Sequence, residues 1–176
     1  MGITITPTNS ADFNDTVGPG NIQIKDLIQN AIANPGDKER FRQLQLILLR
    51  LDASKYARSI GYIIEEKGYE LLEKLYYTLD KDCSGLIYAF LVSGLIHEKG
   101  SLKDISQSVD LACKLEPESA IEYITNFLKW HPETSEITSY AKQKLNELVQ
   151  SKNKDRTGCS LGWFLPTWIF GKKEQK

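Results

Sequence analysis

From Ile22 to Leu148 the apolar residues recur with helical spacing, and nowhere in that stretch do they alternate as a half-buried strand would. Ile24, Leu27, Ile28, Ala31 and Ile32 make one apolar stripe, which predicts a first amphipathic helix. Asn34-Pro35-Gly36 stops it, and Asp37 is placed to cap a second helix running to about Leu51, with Phe41, Leu44, Ile47, Leu48 and Leu51 on one face. Asp52 is placed to cap a third, carrying Tyr56, Ile60, Ile63 and Ile64 and closed by Lys67-Gly68. A fourth follows with Leu71, Leu72, Leu75, Tyr76 and Leu79. Ser101-x-x-Asp104 is a box-like cap for a sixth, bearing Leu102, Ile105, Val109, Ala112 and Cys113. Pro117 suits the first turn of a seventh, with Ile121, Ile124, Phe127 and Leu128 inside. Pro132 is placed to start an eighth, with Ile137, Ala141, Leu145 and Leu148.

Between the fourth and sixth lies SGLIYAFLVSGLIHEK, residues 84–99, apolar on nearly every side. A helix hydrophobic all round belongs in a core or a membrane, and this run is shorter than the roughly 20 apolar residues a span requires. It predicts a buried central helix, with Phe90 fully enclosed. The expected fold class is all-α: about eight amphipathic helices packed around that central helix. Two Glu-Lys-Gly stops, at Gly68 and Gly100, lie 32 residues apart, close to helical-repeat periods. No third copy follows, so a compact bundle and a short irregular α-solenoid both fit, the solenoid slightly better. Residues 1–21, with Pro7, Gly18, Pro19 and Gly20 and no periodicity, read as a flexible arm. Residues 22–150 form the helical domain, and 151–176 a polar linker followed by an aromatic and basic tail.

Charge changes the picture only in its distribution. The net charge is −1, which gives no case for nucleic-acid binding. From Ser151 onward it is +4, leaving −5 for the first 150 residues. Three widely separated cysteines, without CxxC spacing, suggest neither a disulfide framework nor a zinc site. The opening residues have no basic or apolar region of a signal peptide, so a reducing, cytoplasmic setting is expected.

Asp80-Lys81-Asp82-Cys83-Ser84-Gly85-Leu86-Ile87 resembles the first eight positions of an EF-hand calcium loop, with oxygen ligands at positions 1, 3 and 5 and glycine at 6. The resemblance implies a calcium-responsive protein using Asp80 to Leu91. It departs from the family where a bidentate glutamate should stand, since the twelfth position is Leu91 and the ninth is Tyr88. Read as residues alone, the stretch is a turn in which Asp82 or Ser84 caps the central helix. No metal ligand set, cofactor site or catalytic residue is assigned. Glu65, Glu66, Glu70 and Glu73, interleaved with Lys67 and Lys74, read as a solvated face, His97 as a helix C-terminal cation, and Cys83 and Cys113 as small core residues. An enzyme whose site assembles only in space is a further alternative.

The strongest lead is the tail. Trp163, Phe164, Leu165, Trp168, Ile169 and Phe170 lie between basic clusters, the second led by Lys172 and Lys173. Aromatic rings flanked by cations suit the membrane interface, rings at headgroup depth and ammoniums toward anionic lipid. The same segment would equally suit a groove on the helical body. Gly2, in an M-G-x-x-x-T opening, and Cys159 are candidate lipidation sites. The expected function is a non-enzymatic adaptor or scaffold docking on a protein partner or an anionic membrane surface, with no small-molecule substrate. A bacterial effector acting at a host cytosol or membrane is a subsidiary expectation.

Overall fold

Short polar side chains start the helices by accepting hydrogen bonds from amides that have no partner inside the helix. Asp37 Oδ1 accepts from the amides of Glu39 and Arg40, both at 3.1 Å, and so starts α2 (Lys38–Leu48) after α1 (Ile24–Ala33). Asp52 Oδ1 accepts from Lys55 N at 2.9 Å to begin α3 (Ala53–Glu65), and α4 spans Tyr69–Thr78. Asp80 Oδ1 accepts from Cys83 N at 2.9 Å at the head of α5 (Lys81–Ser93). Ser101 Oγ accepts from Asp104 N at 3.3 Å at the head of α6 (Leu102–Leu115), and Pro117 opens α7 (Pro117–Trp130). The last helix is α8 (Glu136–Arg156). The computed structural model describes residues 14–18, 20–96 and 101–156, and among them the fold is all-α with eight helices.

Several boundaries differ from expectation. Helix α5 is capped by Asp80 rather than by Asp82 or Ser84, so it starts three residues before Ser84 and ends at Ser93. Helix α8 starts after Ser135, whose hydroxyl accepts from Thr138 N at 3.2 Å, and not at Pro132. It runs through the expected linker to Arg156, where Lys152 pairs with Glu118 at 2.8 Å. Part of the expected flexible arm is a hairpin: β1 (Thr16–Val17) pairs antiparallel with β2 (Ile22–Gln23), and Arg58 holds Asp15 with two hydrogen bonds of 2.9 and 3.0 Å. The α3–α4 turn also differs in chemistry. Gly68 N donates to Ile63 O and Lys67 N to Ile64 O, closing α3, but Lys67 and not the glycine takes the left-handed conformation, with φ 57°. Gly68 is required for space, because a Cβ there would sit 2.8 Å from both Ile32 Cδ1 and Ile63 Cγ2.

The helices alternate in direction. At one end Tyr140 Oη donates to Ser106 O at 3.0 Å, joining the starts of α8 and α6. At the other, Gln45 Nε2 donates to Thr78 O at 3.0 Å and Tyr76 Oη to Glu116 Oε1 at 2.6 Å, joining the finishes of α2, α4 and α6. Even-numbered helices therefore finish together at what we call the exit end, and odd-numbered helices begin there. Neighbours two apart in sequence, α1 and α3, α3 and α5, α4 and α6, α6 and α8, pack side by side. Among the described residues, no helix is long and apolar enough to cross a membrane.

Among the described residues two buried clusters result. The first draws on α1 to α5 plus Leu111, Ala112 and Leu115 of α6, and the second joins Ile105, Val109 and Cys113 of α6 to α7 and α8. Helix α6 is thus the element between them, with seven buried residues against three in α5 (Ile87, Leu91 and Val92). The expectation of a central helix buried on every side is corrected here. Ala89 is exposed, Leu86 is 36% exposed and Phe90 is half-buried, because among the described residues α5 packs on α3, α4 and α6 and leaves its other side uncovered.

Candidate functional site

Residues 81–91 are helical, so the EF-hand resemblance does not extend to a loop. In this fold Asp80 spends its carboxylate on the helix terminus, and those capping bonds hold its pKa below the usual value. Asp52, capped by Lys55 N, is lowered for the same reason, and Asp104 is lowered chiefly by Lys67.

The acidic residues between Glu65 and Glu73 are not brought together around a reactive centre. Glu70 pairs with Lys74 at 2.9 Å, Glu73 with Lys114, and Lys67 with Asp104 across to α6. His131 stacks on Phe127 with ring centroids 4.7 Å apart and reaches Glu133 at 3.3 Å. Burial raises the Cys83 thiol and pushes Cys113 up to about 11, opposite to the direction that makes a thiolate nucleophile. Tyr76 is pushed up to about 12 by burial and by its bond to Glu116. Where the two cores meet, burial also raises Tyr88, whose hydroxyl is enclosed without a hydrogen-bond partner among the described residues.

A cavity of about 150 Å³ lies between the α1–α2 and α3–α4 turns, floored by Ile32, Phe41 and Leu71. Lys74 spans its rim, donating to Pro35 O at 2.6 Å while paired with Glu70. It is about half the smallest ordinary ligand pocket.

The exit end is different. Leu46 and Leu49 are each 47% exposed and Tyr77 is 64% exposed, and the Gln45–Thr78 hydrogen bond draws the ends of α2 and α4 together at this position. Ile22, in β2 just before α1 begins at this end, is 49% exposed. These residues were not singled out by periodicity. The signal is an excess: Leu44, Leu46, Ile47, Leu48 and Leu49 are more apolar residues than one helix face can bury, and only Leu44 and Leu48 are buried.

No protein-family model, curated protein or solved structure matches the chain.

Its candidate site therefore rests on its own residues. Trp163, Phe164, Leu165, Trp168, Ile169, Phe170, Lys172 and Lys173 lie outside the described residues, as do Gly2, Cys159 and His97. The structure does fix where the chain heads toward them. Lys152 pairs with Glu118 at the start of α7, so α8 delivers the chain at the exit end, the same end at which Leu46, Leu49 and Tyr77 are exposed.

Proposed function

We infer that this chain is a non-enzymatic helical interaction module whose aromatic and basic segment docks on an anionic membrane surface. The observation that carries the reading is Trp163, Phe164, Trp168 and Phe170 within eight residues, followed by Lys172 and Lys173 in a region of charge +4. Full burial of each such ring is worth about 1.5–3 kcal/mol, of which interfacial insertion recovers a fraction. Each lysine near an anionic surface adds about 1 kcal/mol. Salt weakens only the lysine share.

The helical domain supports this reading as a scaffold. Several of its surface charges pair with one another, and burial raises the thiol pKa of its two described cysteines. Helix α8 leads the chain toward the segment at one end of the domain.

The test is co-sedimentation with vesicles containing phosphatidylserine or only phosphatidylcholine, using the full chain and a chain stopped before Cys159. Binding to the anionic vesicles, reduced by salt and lost on truncation, supports the proposal. Equal binding by the truncated chain refutes it.

A further inference from the structure

We propose that the exposed apolar surface at the exit end, carried by Leu46, Leu49 and Tyr77, is an intramolecular dock for the Trp163–Phe170 segment. The segment would then be divided between its own body and a membrane.

Three observations favour this occupant. The first is where the chain leaves: Lys152 bonded to Glu118 places the end of α8 at the end where the patch lies. The second is reach. Trp163 follows Arg156 by seven residues, about 23–25 Å when extended. Helices α8, α6 and α4 pack in succession, two helix spacings of about 16–20 Å, and the Gln45–Thr78 bond ties the end of α2 to that of α4, so the segment from Trp163 to Phe170 can reach the patch. The third is charge. The chain through the end of α8 at Arg156 carries −3 and the remainder +2, so the body attracts its own tail and is repelled by an anionic bilayer. In the turns that follow α2 and α4, Asp52, Asp80 and Asp82 are balanced by Arg50, Lys55 and Lys81, which leaves the apolar surface to set the position.

Docking requires no membrane, whereas the competition rests on the membrane reading above. The experiment separates them. Replacing Trp130 by Phe leaves Trp163 and Trp168 as the sole tryptophans. In that background, without lipid, tryptophan emission should be blue-shifted and shielded from acrylamide. Leu46→Gln with Leu49→Gln, at exposed positions that leave the fold intact by circular dichroism, should shift it to the red and open it to quencher. Emission of the free-solution type, unchanged by the double variant, overturns the dock, and so does shielding that appears only at high protein concentration, which would indicate a second copy as the occupant. With anionic vesicles, a tail docked nine-tenths of the time binds about tenfold more weakly than a free one, so the double variant should gain up to that factor. Loss of the blue shift in the double variant, with no vesicle binding by any form, would keep the dock and overturn the membrane reading alone.

Discussion

Replacing Gly68 by alanine should destabilise the protein, although alanine is the better residue almost everywhere else in a helical chain. Gly68 has φ −76°, which any residue adopts, so backbone freedom is not the issue. Taken alone, removing a glycine from the unfolded ensemble would stabilise by about 0.4–1 kcal/mol. The obstacle is contact: the new Cβ would lie 2.8 Å from Ile32 Cδ1 and Ile63 Cγ2 and 2.9 Å from Ile32 Cγ1. Ile32 is partly exposed and can rotate, but Ile63 is fully buried and has nowhere to go. Overpacking of this kind costs about 1–3 kcal/mol. A net loss of about 1–2 kcal/mol is expected, which lowers the melting temperature of a chain this size by roughly 2–8 °C. Gly61 provides the control. It lies inside α3, and its added Cβ would meet only Phe90 Cε1 at 3.9 Å, an ordinary contact. Gly61→Ala should therefore stabilise, by about 0.5–1 kcal/mol. Guanidinium denaturation followed at 222 nm reads both variants. Equal effects of the two substitutions, or stabilisation by Gly68→Ala, would refute the packing of α1 against the α3–α4 turn.

Other outcomes follow from the same geometry. Leu72→Ala, at a position with no exposed surface, should cost about 2–5 kcal/mol in chemical denaturation, and Phe90→Ala, half-buried, should cost clearly less. Calorimetric titration should find no calcium uptake in the micromolar range, since residues 81–91 are helical and Leu91 offers no carboxylate. Asp52, Asp80 and Asp104 have lowered pKa values, so each contributes stability above the ordinary carboxylate pKa that is lost as the pH falls through the lower folded value. Melting temperatures should hold from neutral pH to about 5 and then drop. Asp80→Asn, which keeps a capping oxygen, should reduce the size of that drop.

Legibility of the fold in the sequence followed the range of the interactions. Asp37, Asp52, Ser101 and Pro117 act within a few residues of themselves, and the helices they start were readable from those residues. Helix α5 was misread because apolar content does not say how many sides have neighbours. Gly85, Leu86 and Ala89 face outward, while α6, with a less uniform apolar run, is packed on two faces. The two-residue strands of the hairpin are too short to show alternation. Lys67 was hidden behind Gly68, since a lysyl-glycyl stop suggests glycine for the left-handed position, whereas here the glycine makes room for Ile32. At the candidate site, the aromatic and basic segment is plain in sequence, but that Leu46, Leu49 and Tyr77 are exposed at one end follows only from α2 and α4 finishing together.

Residues 159–176 are proposed to confer affinity for an anionic membrane on the helical domain. Co-sedimentation of the full chain and the chain stopped before Cys159, across increasing phosphatidylserine content, tests it most directly. The account predicts binding by the full chain that rises with anionic lipid, weakens in high salt and disappears on truncation, while the truncated chain keeps its helical spectrum. Absence of binding by the full chain and by its Leu46→Gln, Leu49→Gln variant alike would contradict it.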